Sequence, residues 1–163
     1  MTLVIAFIGE SGAVMAGDMR EIAFMGDDSC IEKLECELYD GSLASDNDLA
    51  KRAAEIGVTI RIRDDKAKVS QQDGVLVGEV TETEGASARC RRLYATRGSY
   101  TIAEIVDSRL QVTQRGRASN FVVLGNDTAQ RIADQCIREA WDGGTLQDAI
   151  RLIMLTMQIT ASL

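Results

Sequence analysis

The chain has no histidine, which removes the imidazole base on which Ser-His and Cys-His catalysis depend. Carboxylates, lysine, tyrosine or a terminal amine are the bases that remain. Its four cysteines, Cys30, Cys36, Cys90 and Cys136, lie far apart with no Cys-x-x-Cys pair. Without histidine they offer no zinc-ligand spacing, so neither a metal nor another cofactor is expected. Thiols placed this way are expected to stay free in a reducing compartment. Proline is also absent, and no function follows from that. No apolar run approaches the roughly 18 residues of a membrane span, and no basic segment precedes an apolar one at the amino terminus. A cytoplasmic protein without membrane insertion is therefore expected. Positive charge is scarce: 18 Lys and Arg stand against 25 Asp and Glu, for a net charge of −7. That argues against nucleic acid as a partner, because phosphate binding needs clustered cations. The one basic cluster, Arg89, Arg91, Arg92 and Arg97, alternates with apolar residues and reads as a solvated strand face.

What is present fits a single domain over 1–163, long enough to bury roughly two thirds of the surface of its unfolded chain. Residues 2–8 and 13–17 are short apolar runs around a glycine-containing loop, and read as a hairpin of buried strands. Cys30 to Tyr39 is compatible with strand or helix, and strand is preferred. Asp46 is the expected N-cap of a short helix over 47–56 closed by Gly57. Val58, Ile60 and Ile62 alternate with polar residues, Asp64-Asp65 turns the chain, and Ala67 and Val69 alternate in return, so a second hairpin with one wet face is expected. Strands around 75–80, 89–95, 100–106, 110–114 and 121–124 form a meander, with a turn-rich break at 83–87. Two amphipathic helices close the chain, over 128–141 and from about 146, the second entered through Thr145 and Asp148 in a capping-box arrangement. Its methionines are core-filling. Antiparallel sheets flanked by helices predict a layered sandwich of helices and sheets.

The chemistry concentrates at Thr2. A threonine hydroxyl is a poor nucleophile until a base takes its proton, and a terminal α-amine with a pKa of about 7.7–8.0 can serve if Met1 is removed. Opposite the head of the first strand stands Gly12-Ala13-Val14-Met15-Ala16-Gly17-Asp18-Met19-Arg20. Lys33 is the candidate cation that disfavours protonation of the amine, with Asp18 holding Lys33 by an ion pair. Arg20 is read as a buttress of the turn. Gly9, Gly12 and Gly17 serve turns and close packing, with no phosphate-loop spacing. Each residue singly has an ordinary structural explanation; their conjunction points to an N-terminal nucleophile.

Thr2, the first strand, the Gly-Asp-Met-Arg segment and Lys33 together resemble the opening of a proteasome β subunit. The stretch Leu124-Gly125-Asn126-Asp127-Thr128 and the closing helices resemble that family's final turn and helical pair, with Asn126 where a supporting serine usually stands. The resemblance implies an α+β, four-layer αββα sandwich of antiparallel sheets with a reduced first helical layer. One short helix replaces two long ones, so a proteasome-type ring is not expected. Within this superfamily the pattern is most similar to connectases, proteasome-related protein ligases of methanogenic archaea. That implies a threonine-dependent transpeptidase: Thr2 attacks a peptide motif, holds the acyl group, and passes it to an incoming amine. A subunit of a methanogenesis methyltransferase is the implied protein substrate, and a further C-terminal segment is implied after Leu163. A plain threonine peptidase or amidohydrolase, and a non-catalytic scaffold of the same fold, are the alternatives.

Overall fold

A computed structural model of the chain describes residues 2–84 and 87–161. Met1, whose removal is an expectation, the centre of the expected break at residues 85–86, and residues 162–163 lie outside the described residues. The first hairpin is β1 (Leu3–Ile8) against β2 (Ala13–Gly17), antiparallel, with Ile8 opposite Ala13 and Val4 opposite Gly17. The other edge of β1 pairs with β10 (Asn120–Gly125), so that Leu3 faces Gly125. Every residue of β1 is buried. The reason is that both faces are covered, which is why the run shows no alternation.

On one face, Leu3, Ile5 and Phe7 pack against Ala129, Ala133, Ala149 and Ile153. These come from α3 (Asp127–Ala140) and α4 (Leu146–Ala161). Phe7, Phe121 and Trp141 form a three-ring cluster with centroids 4.9–5.2 Å apart, a geometry aromatic rings favour. Thr145 and Asp148 cap α4 reciprocally, Asp148 N–H donating to Thr145 Oγ1 at 3.3 Å and Thr145 N–H to Asp148 Oδ2 at 2.8 Å.

On the other face, Val4, Ala6 and Ile8 meet Val80, Leu93, Ala95 and Ile102 of a five-stranded antiparallel sheet. Its strands are β5 (Val69–Gln72), β6 (Val75–Glu84), β7 (Ser87–Thr96), β8 (Ser99–Val106) and β9 (Arg109–Arg117). The two sheets approach closely at Gly78, where a Cβ would come within 2.6 Å of Val4 Cγ1.

Three expectations are corrected over residues 21–72. Cys30–Tyr39 is helical: α1 spans Asp28–Tyr39, with Asp27 as its N-cap. Ile31, Leu34 and Leu38 recur at helical spacing on the packed face, and that period of three to four outweighs the strand reading. The second expected hairpin does not form. Instead β4 (Thr59–Arg63) pairs with β3 (Glu21–Met25), while β5 pairs with β6. Ile22, Phe24, Ile60 and Ile62 of β3 and β4 supply the apolar face on which α1 and α2 (Asp46–Glu55) pack. The N-cap of α2 is Ser45, whose Oγ accepts from Asp48 N–H at 3.2 Å, one residue earlier than expected. Asp46 is thereby left available to another partner. The described chain is thus α+β, with three antiparallel sheets and four helices, and no described helix is long and apolar enough to cross a membrane.

Candidate functional site

Thr2 lies half-buried at the head of β1, between the end of β2 and the start of α3. Its carbonyl accepts from Asn126 N–H at 3.2 Å. On the other side, Leu3 N–H donates to Asp18 Oδ1 at 2.7 Å, and Asp18 N–H donates back to Leu3 O at 3.0 Å. The Asp18 carboxylate therefore sits against the peptide group that follows Thr2. Its second oxygen accepts from Arg20 N–H at 3.1 Å.

The cation at Asp18 is Lys68. Its Nζ donates to Asp18 Oδ1 at 2.7 Å and to Arg20 O at 2.7 Å, and its side chain is only 5% exposed. The expected pairing of Asp18 with Lys33 is not formed. Because Cys30–Tyr39 is a helix, Lys33 falls on the side away from Ile31 and Leu34 and is exposed. From there its charge acts on Glu37, one turn along. The Glu37 carboxyl is held below its usual range first by a hydrogen bond from Arg52, then by the charges of Arg52 and Lys33.

Lys68 was hidden in the sequence because the expected alternation of Ala67 and Val69 placed it on a wet face. What brings it inside is Gly17, where an added Cβ would lie 3.2 Å from Lys68 Cβ and 3.1 Å from Val69 Cγ2. A glycine directly before Asp18 is thus the signal that another side chain fills the space beside that carboxylate.

Arg20 sends its guanidinium away from Thr2, to Asp46 at the start of α2 and to Asp64 at 3.4 Å. Asn126 caps α3, its Oδ1 accepting from Ala129 N–H at 2.9 Å. Its Nδ2 is buried and has no hydrogen-bond partner. A second pair went unrecognised: Glu82 and Arg91, whose side chains are 14% and 16% exposed, form an ion pair. Arg91 Nη2 also reaches Gly125 O at 3.4 Å. Arg91 stands opposite Val80, one of the residues facing β1. At this end of the sandwich the inward face therefore changes from apolar to charged.

Gly125 is required by close approach. A Cβ there would stand 2.4 Å from Thr2 O and 3.4 Å from Leu3 Cα, and backbone cannot swing aside. Gly125→Ala is expected to cost about 2–3 kcal/mol, the upper part of the range for overpacking, with the β1–β10 pairing opened at Thr2. Denaturant unfolding checks the first effect, and amide exchange at Leu3 and Asn126 the second. A stability unchanged from the native chain would contradict the placement of Thr2.

Thr2's neighbours Leu3 and Asp18 form the floor of a groove of about 870 Å³. One wall comes from the α1–α2 region, with Leu38, Tyr39 and Leu43; the other comes from α3 and α4, with Thr128, Ile132 and Met157. Tyr39 is 38% exposed at the lip of this groove. Burial nevertheless raises the pKa of its hydroxyl, and the Asn126 amide acts against that rise, while the carboxylates of Glu35, Asp18 and Glu82 add to it. The Asn126 amide thus faces the Tyr39 hydroxyl without closing a full hydrogen bond. Among the described residues no cluster of histidine, cysteine, aspartate and glutamate could hold a metal ion.

The arrangement places a hydroxyl-bearing residue, a carboxylate–ammonium pair and a partly apolar groove at one point. A search of curated proteins finds no match to the chain. A protein-family model described as Connectase MJ0548-like, N-terminal domain, matches residues 1–163. The chain, matched over its whole length by this model, belongs to the connectase family.

Proposed function

We propose that the chain is the catalytic domain of a threonine-dependent transpeptidase, with Thr2 as nucleophile once Met1 is removed. One observation carries this reading: the Asp18–Lys68 pair is bonded to the peptide N–H immediately after Thr2, at the floor of the groove. In the reaction Thr2 Oγ attacks the carbonyl carbon of a peptide bond, and the freed α-amine of Thr2 takes the hydroxyl proton. The tetrahedral adduct collapses to an ester, and the proton passes to the departing peptide's amine. A second peptide amine then attacks the ester, forms the new peptide bond and returns the hydroxyl to Thr2. Lys68, rather than Lys33, is the cation whose charge opposes protonation of the amine. Asp18 positions it, while Arg20 braces the segment between β2 and β3 and Asn126 the junction of β10 with α3.

The groove favours transfer over hydrolysis, because a departing peptide lodged on Leu38, Leu43, Ile132 and Met157 stays near the ester and excludes water. Membership of the connectase family supports a protein or peptide substrate, and we extend this to a methyltransferase subunit of methanogenic archaea. The two facing sheets with α3 and α4 are consistent with a proteasome-like αββα sandwich whose first helical pair has moved onto its own small sheet, with 1–163 as one proteasome-like domain.

The test is intact-mass spectrometry of the protein mixed with two methyltransferase-derived peptides, one carrying the motif and one carrying only the acceptor amine. The expected result is a protein mass lacking Met1, a transient acyl adduct, and exchanged peptide product. Cleaved peptide without exchange would make the chain a peptidase. A protein that keeps Met1 and forms no adduct would overturn the reading.

A further inference from the structure

Residues 21–63, comprising β3, α1, α2 and β4, form a unit with its own core. Ile31, Leu34, Leu49, Ala53 and Val58 are buried there against β3 and β4, in a cluster that shares no residue with the other two. Its two-stranded sheet joins neither of the others. The chain enters it through Asp18–Arg20 and leaves through Asp64–Lys68, and these two segments bond to each other: Lys66 N–H donates to Met19 O at 3.0 Å, and Lys68 Nζ to Arg20 O at 2.7 Å. Both segments of this neck contain site residues, Asp18 and Lys68. The neck itself is tied by the buried Asp18–Lys68 pair, whereas the pairs at its junction with the unit, Arg20 with Asp46 and Asp64 and Lys66 with Glu21, join side chains 33–68% exposed, and exposed pairs of this kind hold weakly.

The unit forms one wall of the groove, and through Tyr39 it reaches the Thr2 surroundings. There the Asn126 amide is buried without a partner, and a buried donor left unmatched is costly. The Tyr39 hydroxyl is the acceptor facing it. An inward swing that brought the hydroxyl onto the amide would satisfy it and narrow the groove in one movement.

We propose that residues 21–63 are a jaw pivoting at this neck, and that Tyr39 is the positioning residue it brings to the Thr2 centre on closing. The second half of the proposal rests on the transpeptidase reading; the first does not.

Two measurements decide them separately. Nitroxide labels on the exposed native thiol of Cys36 in α1 and on Asp134→Cys in α3, with Cys30, Cys90 and Cys136 replaced by serine, report the jaw's distance from the body without any substrate. More than one distance is expected, and Asp46→Ala should broaden the distribution further. A single narrow distance unchanged by Asp46→Ala overturns the jaw. For Tyr39, the rate of acyl-adduct formation is followed against peptide concentration in Tyr39→Phe, Asn126→Ser and the double variant; serine keeps the cap of α3 but lacks the amide. Each single change should raise the half-saturating peptide concentration about fivefold, as one lost hydrogen bond does, with the saturated rate little altered. The double variant should be no worse than either single one. Independent, multiplying losses overturn the role of Tyr39. A native chain that forms no adduct removes the Thr2 reading and the role of Tyr39 with it, while the label distances still decide the jaw.

Discussion

Thr2→Ala is expected to abolish covalent capture of a peptide substrate, lowering adduct formation at least about 10⁴-fold, the scale on which removal of a nucleophile acts. Thr2→Ser retains it within about tenfold, because the hydroxyl and the terminal amine are both kept. The fold should tolerate either change. What the structure uses at this position is backbone: the Thr2 carbonyl accepts from Asn126 N–H, and the following peptide bonds Asp18. The side chain sits at the end of β1, outside the packed clusters, so a stability change within about 0.5 kcal/mol is expected. Intact-mass spectrometry reads the adduct and denaturant unfolding reads the stability, so a loss of capture in a stable variant isolates the chemistry. An alanine variant that still forms the ester would assign the nucleophile elsewhere and end the case for Thr2.

Much of the fold was legible from local patterns. The six buried residues of β1, the regular apolar stripe of α3 and the Thr145–Asp148 box of α4 each carry a signal within one short window. The meander was legible for the same reason over 75–114, where adjacent strands pair in chain order from β6 to β9, but 121–124, expected as its last strand, is β10 and pairs with β1 instead, and β5 takes the meander's other edge. The errors lie where a short window is ambiguous or where the partner is distant. In Cys30–Tyr39 the apolar residues fit both periods until Ile22, Phe24, Ile60 and Ile62 supply the surface that selects the helix. The expected pairing of 58–62 with 67–69 had correct strand chemistry for β4 but the wrong partner, because no strand was expected at β3, whose five residues are too few to show a period. That mispairing also concealed the neck, and with it the jaw.

The site divides the same way. Thr2, Asp18 and Arg20 belong to one hairpin and were read together because the register of β1 and β2 brings them together. Asn126 was named from the resemblance alone; the long-range contact that brings it to Thr2, the pairing of β10 with β1, was not legible, because 121–124 was expected in the meander. Lys68 and Arg91 come from segments whose alternation placed them in solvent, and only the packing of two sheets face to face turns them inward. A lone lysine in a polar stretch carries no mark of burial; the mark is on the glycine it packs against.

The second large effect separates the two lysines. Lys68→Met keeps the length and apolar body of the side chain but removes the ammonium from Asp18, to which it donates at 2.7 Å. Asp18 retains the N–H groups of Leu3 and Arg20, so the cost in stability should be about 2 kcal/mol, below the 3–5 kcal/mol typical when a fully buried pair loses one partner. Adduct formation should fall about 10²–10³-fold, the size of a lost preorganised charge at a reacting centre. Lys33→Met is the control. Lys33 lies on the exposed face of α1 and acts on Glu37, so stability should move by no more than about 0.5 kcal/mol and the rate should stay at the native value. Peptide capture by the two variants, measured at a temperature where both are folded, gives opposite results if Lys68 is the cation of the centre. A severe loss in Lys33→Met, with Lys68→Met unimpaired, would require the α1 region to reach Asp18 in the working protein by a movement far larger than a closing jaw provides.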